Sequence, residues 1–281
     1  MAWHKTGTFF LRSLVHTSLP QICHLNASRW TPTRRGRDPP KGCSVAEVQD
    51  HGQSSASRIF LRQPVGSMAL VFMIREPTST VISTYGYHRA GYECTREKWS
   101  PKFALPRELR PICDVLLNNR TRLNVGLFYT AEFVLQGVLP LELEVFSAIA
   151  RARRPDALCL RMEDFQTDSR SAASALLHFL GVPQPQIAAS LKIMSGVLLP
   201  MSSAHTTSSH ELGAANSSLN LSQTNGHVNP SNLAANDVRN MWRVLHSNST
   251  LCNALASAAT ALGYDVGSRY YCGRSSLGIA S

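Results

Sequence analysis

The sequence predicts an α/β fold in which helices pack on a parallel sheet. Three observations lead there. Ala69-Leu-Val-Phe-Met-Ile74 is a continuous apolar run, the pattern of a strand buried on both faces, and Ala157-Leu-Cys-Leu-Arg161 reads as a second strand. Each of these segments passes into a stretch with helical spacing of its apolar residues. A chain of 281 residues with 43% apolar content is also long enough to bury one sizeable core.

The chain opens on His4-Lys5-Thr6-Gly7-Thr8, followed by Phe9, Phe10, Leu11, Leu14 and Val15 at helical intervals. A helix is therefore expected to begin near Thr8. A helix start has unpaired N–H groups and a partial positive charge, which suit a phosphate. Gly7 allows the backbone to approach an anion closely, Lys5 adds a mobile positive charge, and Thr6 and Thr8 add hydroxyl donors. No Gly-x-x-x-x-Gly-Lys-Ser/Thr loop is present. The plainer reading of this segment is an ordinary capped helix with a solvated lysine.

Residues 20–58 read as irregular, centred on Thr31-Pro-Thr-Arg-Arg-Gly-Arg-Asp-Pro-Pro40, a loop expected to lie over the site. The apolar run at 69–74 then ends at Arg75-Glu76-Pro77. Proline suits the first turn of a helix, so a helix is expected through Ser83, Tyr85 and His88. Ligands of open α/β sheets bind beyond the carboxyl ends of the strands. Arg75 is placed there, with a planar fork of donors that fits a phosphate, and Ser83 lies two turns further on. The plainer reading of Arg75 is a salt bridge, and of Ser83 a surface serine.

Residues 106–118 and 128–151 carry helical apolar spacing. After the strand at 157–161 come Glu163-Asp164-Phe165 and an apolar helix ending Leu177-His-Phe-Leu-Gly-Val-Pro183. Residues 201–235 are rich in Ser, Asn, Ala and Thr and predict a disordered polar insertion, because they offer too little apolar surface to offset chain entropy. A last helix reads from about Asn236 to Leu262 and stops at Gly263, a natural cap residue. Residues 1–281 read as one domain.

These segments resemble the sulfotransferases that use 3′-phosphoadenosine 5′-phosphosulfate (PAPS). His4-Lys-Thr-Gly-Thr8 is similar to the family's Lys-x-Gly-Thr loop for the 5′-phosphosulfate. Arg75-Glu-Pro77 with Ser83 and Tyr85 is similar to its 3′-phosphate motif, and the Glu163-Asp164 pair with the Phe179-Leu-Gly181 helix end is a third match. The resemblance covers roughly residues 3–195, and its motif style is closest to the Golgi carbohydrate sulfotransferases. It implies a P-loop-like three-layer fold, a central parallel sheet flanked by helices. It implies PAPS as the sulfuryl donor, held by Lys5, Thr6, Gly7, Thr8, Phe9, Arg75 and Ser83. The acceptor is then a hydroxyl, expected on a carbohydrate, and no metal is needed. Lys5 would neutralise leaving-group charge and His51, in Asp50-His51-Gly52, would be the general base. Glu47 and His88 are the alternative bases.

A net charge of +10 and a pI of about 9.6 call for an anionic partner. A nucleotide donor and an acidic glycan both satisfy that. Nucleic acid is not expected, since no zinc-finger, RNP or helix-turn-helix signature occurs. The basic residues are scattered, apart from Arg34-Arg35-Gly36-Arg37 and Arg151-Ala152-Arg153-Arg154. Seven cysteines without a Cys-x-x-Cys pair argue against a zinc site. The odd count leaves at least one free or paired between chains, while Cys252 and Cys272 could bridge in an oxidising lumen. Asn-x-Ser/Thr sequons at Asn26, Asn119, Asn216, Asn220 and Asn248 favour a lumenal glycoprotein, with the Golgi as the expected address. No run of 18 apolar residues occurs, so no transmembrane helix is expected here, and an anchor would belong to a longer form. Two rival functions stand beside the sulfotransferase: a P-loop kinase-like enzyme, which lacks its Walker loop here, and a non-catalytic binder of acidic glycans.

Overall fold

The computed structural model describes residues 28–30, 44–46, 53–89, 112–118, 120–202, 235–267, 270 and 272. The fold class is α/β, mostly helical, with parallel strand pairs. The chain parts into two compact units, one of Met1–Arg75 with Glu144–His210 and the other of Glu76–Leu143 with Glu211–Ser281. Each unit takes its residues from two stretches of chain, so no break in composition marks the boundary.

The first unit holds strands β1 (Ser28–Trp30) and β2 (Ser44–Ala46), helix α1 (Gln53–Arg62) and strand β3 (Leu70–Ile74). It also holds strand β4 (Ala157–Arg161) and helices α6 (Met162–Phe179) and α7 (Gln184–Ser202). β3 and β4 pair in parallel from Leu70↔Ala157 to Ile74↔Arg161. The stretch 20–58, expected to be irregular, contains the parallel pair β1–β2 and the start of α1. Helix α1 carries Ile59, Phe60 and Leu61, and the fully buried Phe60 anchors it in the core. Helices α6 and α7 pack together on the sheet through Phe165, Leu176, Leu177, Leu191 and Met194, around Met73 and Leu160. Burial of each such side chain contributes roughly 1.5–3 kcal/mol. Helix α6 ends as its sequence predicts. Gly181 takes φ +77°, and Val182 N–H returns to Leu177 O at 3.0 Å, closing the last turn. Within α6, Asp168 leaves helical geometry and its carboxylate accepts from Ser171 N–H at 2.9 Å, capping the helix afresh. Cys159 on β4 is half-buried and is not part of a disulfide.

One ion pair ties the sheet to the chain before it. Arg154 grips Asp156 with two bonds of 2.7 Å, and both side chains are about nine-tenths buried. The guanidinium also donates to Gln63 O at 2.8 Å and lies 4.4 Å over the Phe60 ring. Asp156 in turn accepts from Gly66 N–H at 2.8 Å.

The second unit is built around helix α2 (Pro77–Arg89), enclosed by α3 (Ile112–Leu117), α4 (Leu123–Phe133), α8 (Ala235–Ser247) and α9 (Ser249–Ala261). Ten of the thirteen α2 residues are buried, which is why the helix shows no single apolar stripe. Gly126 of α4 lets the Tyr85 ring lie against it, since a Cβ there would sit 2.8 Å from Tyr85 Cε2. Beyond α4 the helix widens to π geometry at Val134–Val138 before α5 (Leu139–Ala152), and Leu139 N–H bonds to Val134 O. Pro140 accounts for this. It has no N–H for the Gln136 carbonyl, and its ring crowds that oxygen.

The segment Leu123–Ala152 is thus one helix of 30 residues, long and apolar enough by length and composition to cross a membrane. Glu132, Gln136 and Glu142 interrupt its apolar run, so the sequence shows no continuous stretch of 18 apolar residues there. Within the second unit its Leu127, Ala131, Phe133, Val134 and Val138 side chains are fully buried, as in a core helix. The single last helix expected over 236–262 is two helices. Asn248 breaks it, and its side chain caps α9 by accepting from Leu251 N–H at 3.1 Å. Residues 203–234, most of the polar insertion, lie outside the described residues.

The Arg154 hydrogen bonds hold the Asp156 carboxyl down at about 2, below its ordinary 3.8. A carboxyl lowered in the folded state contributes stability above its unfolded value and loses it as pH falls through the folded one. Acid titration of unfolding should therefore lose this contribution between about pH 4 and pH 2. Asp156→Asn should flatten that limb, and an unchanged acid limb in the variant would contradict the assignment.

Candidate functional site

The site begins where β3 ends. Arg75 follows Ile74 directly and is half-buried, the last residue of the first unit. Glu76 opens the second unit, and its side chain is 2% exposed. Its carboxylate folds onto the start of α2. Oε1 accepts from Thr78 N–H at 2.8 Å and Oε2 from Ser79 N–H at 2.6 Å. Its own carbonyl accepts from Thr80 N–H at 2.9 Å. Pro77 has no N–H to satisfy. The orphan donors of the first turn are thus occupied by a carboxylate from the chain itself.

A second layer holds Glu76. The Tyr270 hydroxyl donates to Glu76 Oε1 and accepts from Thr78 Oγ1, the latter at 3.1 Å. Burial, then the Glu76 charge, pushes the phenol far above its ordinary pKa, so it remains a donor. The His246 ring stacks on Tyr270 at 5.2 Å, and Trp242 stands edge-on to His246 at 5.0 Å and to Tyr270 at 6.3 Å. Burial lowers the His246 pKa against an opposing pull from Glu76. Two residues beyond Tyr270, Cys272 is bonded to Cys252 of α9, with Cα atoms 5.4 Å apart. The bridge that the sequence left open is therefore formed, and Cys113 is disulfide-bonded as well.

Sequence reasoning missed the roles of Glu76, Trp242, His246 and Tyr270. The available signal was Tyr270 two residues before Cys272, and Trp242 and His246 one helical turn apart. Ser83 lies in the interior of α2, 2% exposed. His88, one alternative base, is buried as well, at 0% exposed and edge-on to Phe133 at 5.7 Å. Lys5, Thr6, Gly7, Thr8, Phe9, Glu47 and His51 lie outside the described residues. Arg75 and Ser83 belong to different units and are each placed within their own. Among the described residues no group of three or more His, Cys, Asp and Glu side chains comes together as a metal site. The basic cluster at 151–154 is partly consumed by the fold, since Arg154 is committed to Asp156 and Arg151 donates to Ser147 O at 3.2 Å.

A scan against family models and searches of curated proteins and of solved structures gave no match.

Replacing Glu76 removes the cap and leaves the half-buried Tyr270 O–H without its acceptor. Glu76→Ala should cost about 2–3 kcal/mol, from roughly 1–2 for a cap and about 1 for the stranded hydroxyl. Glu76→Gln, which retains an acceptor, should cost less than half of that. Urea unfolding followed by tryptophan fluorescence measures both, and an alanine variant within about 0.5 kcal/mol of wild type would refute the capping role.

Proposed function

We propose that this protein is a PAPS-dependent sulfotransferase that transfers the sulfuryl group to a hydroxyl of a carbohydrate in the Golgi lumen. One observation carries the reading: an Arg-Glu-Pro turn at the carboxyl end of a parallel strand, with its helix N-terminus already filled by its own glutamate. The Arg75 guanidinium offers a planar fork of donors that suits a phosphate. The order and spacing of this turn after the Lys5-Thr6-Gly7-Thr8 loop make the pair fit a nucleotide with phosphates at both ends. The reading brings with it a P-loop-like three-layer fold, supported by the parallel β3–β4 pair with a helix following each strand.

In this mechanism the acceptor oxygen attacks sulfur in line with the bridging oxygen of the donor. The new O–S bond forms as the S–O bond to the 5′-phosphate breaks, leaving a sulfate ester and 3′-phosphoadenosine 5′-phosphate. Lys5 neutralises the charge that grows on the departing phosphate oxygen. His51 takes the proton of the acceptor hydroxyl, with Glu47 as the alternative. Arg75 receives the 3′-phosphate, and Ser83 belongs to the same motif. The Cys252–Cys272 bridge supports an oxidising compartment.

Lys5→Ala should abolish transfer while weakening nucleotide binding less than turnover, because its charge matters most as the leaving group departs. Wild-type turnover in that variant would remove the loop from the mechanism. Arg75→Ala should lose about tenfold or more in affinity for 3′-phosphorylated nucleotide, with little change for adenosine 5′-phosphosulfate. Equal losses for the two nucleotides would restrict Arg75 to a structural role.

A further inference from the structure

Helix α2 carries Ser83, and its start is fixed by the Glu76 carboxylate. That carboxylate is fixed in turn by a residue about 190 positions away in sequence: Tyr270 reaches it across a separation of 194 residues. Tyr270 lies outside the regular helices, beyond the end of α9 at Ala261. The aromatic faces of His246 and Trp242 and the bridge from Cys272 to Cys252 bring the residue back to α2. Cys252 is fully buried in α9, which packs on α2, so the tail is tied to the same helix cluster that the phenol serves. A loose tail would have to order its backbone for each contact, and a covalent tie two residues away removes most of that cost.

We propose that Tyr270, anchored through the Cys252–Cys272 bridge, is a positioning residue: its hydroxyl fixes the Glu76 carboxylate at the start of α2 and so sets the helix that presents Ser83 to the nucleotide 3′-phosphate. The Ser83 clause rests on the sulfotransferase reading; the Tyr270–Glu76 coupling does not. The bridge and the phenol act in series, through one contact.

The test is amide hydrogen exchange of the full-length protein, read over the α2 start (Thr78 to Thr80) and, as a control, over α6. Tyr270→Phe keeps the ring on His246 and removes the hydroxyl. It should speed exchange at the α2 start by about tenfold and leave α6 unchanged. The double variant Cys252→Ala/Cys272→Ala should reproduce that change, and adding Tyr270→Phe to it should give little more, because both act through one contact. Wild-type exchange in Tyr270→Phe, or fully additive effects of phenol and bridge, would overturn the proposal. Affinity for 3′-phosphoadenosine 5′-phosphate, measured on the same proteins, should fall in the same non-additive order. If wild type binds none of that nucleotide, the sulfotransferase reading and the Ser83 clause fail, while the exchange cycle still decides whether Tyr270 positions Glu76.

Discussion

The Glu76 carboxylate is the constraint on which the second unit depends. It is almost fully buried, and a buried carboxylate is tolerated only when its oxygens are hydrogen-bonded. Two backbone amides of α2 and the Tyr270 phenol meet that need. The same bonds satisfy the orphan donors of a helix whose residues are buried on nearly every side. A helix enclosed in this way cannot rely on water to fill its first turn. Pro77 removes one donor and Glu76 supplies acceptors for the next two, so two consecutive residues solve the problem locally.

Electrostatics in the first unit follow a similar economy. The chain carries a net charge of +10, yet some of its arginines serve the fold. Arg154 is spent on Asp156, Gln63 and the face of Phe60, which joins the segment before β3 to the segment before β4. That junction sets the start of the parallel pair, since Leu70 N–H also bonds to Asp156 O at 2.8 Å. Net charge alone therefore overstates the surface available to a polyanion.

Much of the α/β framework was legible from periodicity. The runs at 69–74 and 157–161 are strands, Pro77 opens a helix, and Gly181 closes one. What escaped notice depends on contacts distant in sequence or on competition within a helix. Asn248 sits in a good helical pattern, but its side chain satisfies Leu251 N–H better than helix continuation does. Helix α1 is anchored by the packing of Phe60, a contact that its sequence alone does not reveal. Helical spacing was legible over 128–151, but charged residues along it, among them the buried Glu142, break the apolar run that would have marked a span of 30 residues. Of the candidate site, Arg75 and the helix after it could be read directly, whereas Tyr270 could not. No local pattern signals a phenol that reaches back across 194 residues. The cysteine two residues later was the one hint, and pairing is not deducible from spacing alone.

The central claim, a donor site for a nucleotide phosphorylated at both ends, is tested most directly by calorimetry of the wild-type protein with 3′-phosphoadenosine 5′-phosphate. The account predicts saturable one-to-one binding that is at least about tenfold tighter than that of adenosine 5′-phosphate, since one charged hydrogen-bonding group distinguishes the two. It also predicts no preference for ATP with Mg²⁺. Binding of ATP with Mg²⁺ in preference, or of neither nucleotide, would contradict it.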